Sequence, residues 1–247
     1  MSKQPLGKIP ASAILMLEIP RYSQDIIDRY LALGDLTGTV SDAMDELGLD
    51  GVVPASQLAP TVPMSRIAGP ALTLRNVQQR DNAFKGAKER TSKMAEIEAH
   101  NLALPGDVLV IEGVVGISNM GGLSATIAKR EGEVGAIVDG GIRDVEQSRS
   151  LGFPIWSRGV SSITGKWRLE TVAVNGVVRV CGKQVRPGDL VVADEGAVCF
   201  IPREHVDAVL KRAHEISDGE AIRYADINAG VPVPELAQRT KVYKFNP

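Results

Sequence analysis

The stretch VDGGIRDVEQ, residues 138–147, reads as the end of a buried strand, a double-glycine turn and the start of a helix. Arg143 stands at that helix entrance, where the positive end of the helix dipole favours an anion. An arginine there has the wrong sign for stability alone, so something negative is expected beside it. Upstream, LSATIAKREG reads as a helix over about 124–132 and VGAIVDGG as the returning strand over about 134–138. Such a helix rises about 14 Å, and the strand with its flanks covers a similar distance at about 3.3 Å per residue. The chain therefore leaves one end of a sheet at Gly121–Gly122 and returns to the same end at 140–144. Two glycine loops, each opening a helix, lie side by side at the edge where open α/β sheets bind ligands.

That edge has a specific chemistry. Gly121 and Gly122 carry no side chain, so a ligand can approach the backbone closely. The free N–H groups that open the next helix suit a carboxylate or phosphate. Arg143 offers a fork of donors that binds a carboxylate with two hydrogen bonds. Asp144 offers an oxygen ligand to a hard cation such as Mg²⁺, which takes one or two carboxylates and keeps several waters. A carboxylate holder beside a Lewis acid is what chemistry on a 2-oxo acid requires. Each residue also has a purely structural reading. Asp144 with Gln147 makes a plausible capping box, Gly121–Gly122 a simple turn, and Gly140–Gly141 a tight strand-to-helix turn.

Outward from this centre, TVSDAMDELGL places Val40, Ala43, Met44 and Leu47 on one helical face, with Gly48 to end it. SQDIIDRYLAL and SKMAEIEAHNLAL also read as helices, and RIAGPALTLRNV and FPIWSRG as strands. Two segments echo each other, PGDVLVIEG from 105 and PGDLVVADEG from 187, each a Pro-Gly turn feeding a strand. PREHVDAVLKRAHEIS carries a stripe of Val206, Val209, Leu210, Ala213 and Ile216, and a separate helix is expected over GEAIRYADI.

Bulk properties narrow the function. The 247 residues suit one large α/β domain with a helical lead-in. The net charge is −2 with basic residues spread along the chain, which argues against a nucleic-acid partner. Neither a signal peptide nor a membrane-length apolar run is apparent. With two cysteines, Cys181 and Cys199, both read as small buried hydrophobes in strands, a cytoplasmic protein is expected. His100, His205 and His214 show no metal or triad spacing, and two of them read as solvated residues on a helix flank. Trp156 and Trp167 read as packing residues. No G-x-G-x-x-G occurs, so a nucleotide or methyl-donor site has no support.

The residues GLSATIAKREGEVGAIVDGGIRDVEQSRSLGFPIWSRG and RPGDLVVADEGAVCFIPREHVDAVLKRA resemble the RraA-like family, which includes class II pyruvate aldolases for 4-hydroxy-4-methyl-2-oxoglutarate. The resemblance covers about 35–230. It implies an N-terminal extension over 1–34, a catalytic domain over 35–230 and a C-terminal tail over 231–247. It further implies an α/β/β swivelling-domain-like sandwich, a homotrimer or homohexamer, and sites at subunit interfaces. By position it makes Gly121, Gly122, Leu123 and Ser124 the cradle for a pyruvyl group. Arg143 becomes the carboxylate and keto-oxygen contact, and Asp144 the direct Mg²⁺ or Mn²⁺ ligand. A neighbouring subunit's glutamate, Glu220 or else Glu215, completes such a site. The implied activity is a metal-dependent lyase acting on a small 2-oxo acid, by retro-aldol cleavage or oxaloacetate decarboxylation. The alternative is a regulator that binds and inhibits an RNA-degrading enzyme. Two positions depart from the aldolase pattern. An acid stands there 21 positions before the arginine, whereas residue 122 is glycine, and Gly196 stands where aspartate is common. Either metal affinity is lower for lack of that acid, or Asp139 or Glu112 substitutes for it at the metal.

Overall fold

The structure, a computed structural model, describes residues 3–239. In chain order the strands are β1 (Val52–Pro54), β2 (Ala59–Pro60), β3 (Ile67–Gln78), β4 (Val108–Glu112), β5 (Ser118–Met120), β6 (Gly135–Ile142), β7 (Ile155–Val160), β8 (Leu169–Val174), β9 (Val178–Val180), β10 (Lys183–Val185), β11 (Leu190–Ala193) and β12 (Ala197–Ile201). The helices are α1 (Gln24–Leu31), α2 (Leu36–Glu46), α3 (Ala83–Glu89), α4 (Glu96–Leu102), α5 (Gly122–Glu131), α6 (Val145–Leu151), α7 (Val206–Asn228) and α8 (Val233–Arg239).

β3 joins two sheets. Its first residues pair antiparallel with β11, its middle pairs parallel with β4, and its end pairs antiparallel with β8. On one side the parallel run β3–β4–β6–β7 continues; on the other β11–β12–β1 form an antiparallel sheet. Period-two alternation explains how the sheets stack. On β4, Leu109 and Ile111 face the core under α4 and α5, while Val108 and Val110 face the opposite sheet. On β12, Val198 and Phe200 fill that same intersheet core, while Cys199 and Ile201 turn outward to α2 and α7. The layers are thus helices, parallel sheet, antiparallel sheet. This is the expected α/β/β sandwich, with α1, α2 and α7 covering the outer face.

The echoed Pro-Gly segments do share geometry. Gly106 and Gly188 both have positive φ, and Asp107 and Asp189 each accept from the backbone N–H three residues earlier, at 2.9 and 2.7 Å. The stripe on α7 is buried as expected, with Ile216 half-buried. Several expectations need correction. α7 runs unbroken through Gly219, so GEAIRYADI is not a separate helix; one mid-helix glycine costs only about 1 kcal/mol. α3 gave no periodic signal because its one large apolar residue, Phe84, is exposed; Asn82 caps it through Phe84 N at 2.9 Å. Cys181 lies between β9 and β10 with φ of 50°, half-buried, whereas Cys199 is buried in a strand.

The expected extension over 1–34 packs on the body: Ile9 and Ile19 join the core, and buried Glu98 accepts from the backbone of Leu6 and of Lys8. Of the expected tail, 231–247, α8 lies within the described residues and 240–247 lie outside them, as do residues 1–2 at the other end. No helix among the described residues is long and apolar enough to cross a membrane.

Candidate functional site

β5 and β6 lie parallel and side by side, so their C-terminal ends deliver Gly121 and Arg143 to the same place. The Arg143 N–H donates to the Met120 carbonyl at 3.1 Å, tying one loop to the other. Asn119 braces the same region from beneath. It accepts from Val114 N at 3.1 Å and donates to Val114 O and Ile117 O at 3.0 and 2.9 Å. Gly140 and Gly141 belong here too, and not to a turn. They lie within β6, where a Cβ at Gly140 would come 2.3 Å from Asn119 Nδ2 and one at Gly141 2.8 Å from Ile117 O. Gly140 makes room for the Asn119 side chain, and Gly141 for the Ile117 backbone.

The tight conformation falls instead on Asp144, with φ of 57° and ψ of 43°. Its side chain makes no cap for α6, so the expected capping box with Gln147 does not form. Asp144 Oδ2 reaches across to accept the Gly122 N–H at 2.9 Å, and Arg143 Nε lies 3.4 Å from the same oxygen. The negative group expected beside Arg143 is therefore partly supplied by its neighbour. The Arg143 Nη groups have no partner among the described residues, and the side chain is 32% exposed. α5 has no side-chain cap, and the N–H groups of Leu123 and Ser124 have no partner among the described residues. Two open N–H groups at a helix start and a free guanidinium face make an anion cradle.

Of the predicted site residues, the structure brings together Gly121, Gly122, Leu123, Ser124, Arg143 and Asp144. Ser124 departs in one respect, since its hydroxyl turns inward to His100 Nε2 at 2.7 Å and only its backbone faces the cradle. His100 is itself fully buried against Glu133. Of the two helix-flank histidines read as solvated, His214 is only half-exposed, with Nε2 buried and without a partner among the described residues. Glu215 and Glu220 lie on α7, which packs against α2 on the far sheet. Glu215 pairs with Arg212 at 3.0 Å, and the Glu220 side chain has no hydrogen bond or ion pair among the described residues.

Neither proposed substitute acid is free for a metal. Glu112 accepts from Arg75 Nε and Arg179 N at 2.9 and 2.8 Å; Asp139 accepts from Arg158 Nε and Cys181 N at 2.5 and 2.6 Å. These neighbouring carboxylates on β4 and β6 pin the β9–β10 hairpin across the sheet. Among the described residues no group of three or more His, Cys, Asp or Glu is arranged around a metal position. What remains is Asp144 Oδ1, on a side chain 48% exposed. One open carboxylate oxygen fits a hard cation that keeps most of its water. Burial and the adjacent Asp139 push the Cys181 thiol up to about 11, which favours the neutral thiol near neutral pH. Trp156 is buried, with its Nε1 donating to Asp194 O at 2.7 Å, a packing role as expected. A cleft of about 550 Å³ beside α2 has Asp35, Asp194 and Glu195 against the single cation Arg66 among its lining residues, a net negative charge that disfavours an anionic substrate.

Asn119, His100 and Glu133 carry no sequence signal, because their partners lie on other elements. A family comparison adds a separate line of support. The RraA-like family model, Aldolase/RraA, matches residues 37–199. A Halalkalibacterium halodurans protein with the provisional name 4-hydroxy-4-methyl-2-oxoglutarate aldolase is 32% identical over 197 residues, 79% of this chain and 86% of that one. A solved Pseudomonas syringae pv. tomato structure superposes with a TM-score of 0.74 at 26% identity, covering 90% of this chain and 97% of its own. RraAS2 of Streptomyces coelicolor, described as an unusual member of the RNase ES inhibitor RraA family, gives 0.67 at 28% identity over 83% and 98%. Sequence and fold agree, and the chain belongs to the RraA-like family.

Proposed function

We propose that the protein is a carbon–carbon lyase acting on a small 2-oxo acid, with Mg²⁺ or Mn²⁺ as its cofactor. The observation that carries this reading is the convergence of Arg143, Asp144 and the open N–H groups of α5 on one cradle. The Arg143 Nη groups take the substrate carboxylate as a bidentate pair. Gly121 and Gly122 let the pyruvyl group reach the backbone, and the Leu123 and Ser124 N–H groups face the oxygen on which negative charge develops. Asp144 holds the cation through Oδ1 while Gly122 N–H fixes its other oxygen. The bound cation supplies a Lewis acid for that developing charge. In retro-aldol cleavage the 4-hydroxyl gives its proton to water and becomes the carbonyl of the second product as the C3–C4 bond breaks. The electrons of that bond pass to the C2 keto oxygen, and the pyruvate enolate left behind takes a proton from water at C3. Loss of CO₂ from oxaloacetate leaves the same enolate, so one site serves both reactions.

The reading extends to a cytoplasmic homotrimer or homohexamer in which Glu220, or Glu215, of a neighbouring copy approaches the cradle. Pyruvate release from a panel of 2-oxo acids, with and without divalent metal, tests the activity. A second reading, a regulator that inhibits an RNA-degrading enzyme, is favoured by the similarity to RraAS2 and by glycine at 122. It predicts inhibition of an RNase E-type enzyme that survives Arg143→Ala, with no turnover of any 2-oxo acid.

A further inference from the structure

Behind the first turn of α5 lies a hydrogen-bonded chain that the proposed chemistry does not use. Glu133 Oε1 is 2.7 Å from His100 Nδ1, and His100 Nε2 is 2.7 Å from Ser124 Oγ. His100 and Glu133 are buried and Ser124 is only 5% exposed. The other Glu133 oxygen, Oε2, is buried with no partner among the described residues. Polar groups sequestered in this way cost desolvation, and an apolar trio would join the same helices without that cost.

The chain connects three places: His100 on α4, Ser124 in the first turn of α5, and Glu133 just beyond the end of α5. A neutral imidazole that donates Nδ1–H to the Glu133 carboxylate has Nε2 as the acceptor of the Ser124 hydroxyl, and in either protonation form the hydroxyl is engaged by His100. A serine in the first turn of a helix otherwise bonds readily to nearby backbone groups. Here its hydroxyl is drawn away, and the first-turn N–H groups of Leu123 and Ser124 stay open.

We propose that Ser124 is a positioning residue, held by the His100–Glu133 pair so that the α5 N–H groups stay open and fixed for an anionic oxygen. This rests on reading the cradle as the 2-oxo acid site. The side chain of Ser124 does not touch the ligand; it acts through the backbone of its own turn.

The test is calorimetric titration of the full-length protein with oxalate in the presence of Mg²⁺, since oxalate has the shape and charge of a pyruvate enolate. Ser124→Ala and His100→Gln are each expected to weaken oxalate about tenfold, and the double variant no further, because coupled groups are non-additive. Ser124→Thr keeps the hydroxyl and is expected to bind within about twofold of the parent. In turnover, kcat falls in Ser124→Ala by about the factor that oxalate weakens while KM changes little, because these N–H groups act on the developing charge. Oxalate affinity per folded protein, which lost stability alone leaves unchanged, separates the two causes. Parental oxalate affinity in Ser124→Ala, even with a lowered Tm, overturns the proposal. Should His100→Gln not fold, the Ser124→Ala and Ser124→Thr pair still decides. If Arg143→Ala loses oxalate and Ser124→Ala does not, only this inference fails. If the parent protein binds no oxalate, the cradle reading fails with it.

Discussion

Asp144 Oδ2 accepts the backbone N–H of Gly122 at 2.9 Å, so the residue that opens α6 is anchored to the start of α5. The two helix entrances are locked together by one carboxylate. Its other oxygen, Oδ1, has no partner among the described residues, and Arg143 Nε lies 3.4 Å from the anchored Oδ2, so one carboxylate ties both loops of the cradle together.

The anchor has a stability cost that substitution can read. Asp144→Ala loses a hydrogen bond to a half-exposed carboxylate and keeps a left-handed backbone, so it should lower stability by about 1–2 kcal/mol. Asp144→Gly loses the same bond but tolerates φ of 57°, and should fold more stably than Asp144→Ala. Urea unfolding of the pair measures the difference. Equal stabilities would mean that the left-handed conformation carries no cost here.

Arg143 makes no contact that the fold needs beyond its backbone. Arg143→Ala should remove 2-oxo acid binding while unfolding within about 0.5 kcal/mol of the parent, as surface substitutions do. Arg143→Lys should not restore binding, because an ammonium lacks the planar fork. Binding titrations with pyruvate separate these outcomes, and full affinity in the lysine variant would rule out bidentate recognition.

Positions 121 and 122 should respond differently to an added acid. A Cβ at Gly122 would lie 3.0–3.2 Å from Gln147 and Asp144 Cβ, and Gln147 is exposed and able to move. Gly122→Asp should therefore fold and set a second carboxylate beside Asp144, lowering the apparent metal constant by about tenfold. A Cβ at Gly121 would lie 2.9 Å from Asp144 Oδ2 and 3.0 Å from Arg143 Nε, so Gly121→Asp should break the pair and abolish binding. Metal titrations of both variants check this. An unchanged metal constant in folded Gly122→Asp would show that 122 does not face the cation.

Gly140→Ala tests the brace beneath the cradle. Its methyl would meet Asn119 Nδ2 at 2.3 Å, so either Asn119 gives up its bonds or β6 shifts. A loss of about 1–3 kcal/mol is expected from overpacking, measured by thermal unfolding. Parental stability would mean that Asn119 moves freely and braces nothing.

The alternation of Val108 to Ile111 and the stripe on α7 are local patterns, and they make the layers legible from sequence. So is the meeting of Gly121–Gly122 with Arg143–Asp144, because one helix and one strand of matched length fix it. What the sequence hid is non-local. Asp144 reads as a cap for its own helix because the rival donor, Gly122 N–H, is 22 residues away in the chain. Gly140 and Gly141 read as a turn because the backbone that crowds them comes from the 113–119 segment. His100 reads as an isolated histidine since Ser124 and Glu133 reach it only after α4 and α5 pack. Asp139 and Glu112 look free to bind a cation until the β9–β10 hairpin folds across them.

On the proposed function, Arg143 and Asp144 form a metal-dependent site for 2-oxo acids. The direct measurement is pyruvate release from oxaloacetate and 4-hydroxy-2-oxo acids, for the parent and Arg143→Ala, with Mg²⁺ and then with excess chelator. The parent should release pyruvate with Mg²⁺, stop in chelator, and recover when Mg²⁺ or Mn²⁺ is restored, while Arg143→Ala stays inactive throughout. Undiminished release in chelator, or an Arg143→Ala variant as active as the parent, would contradict it.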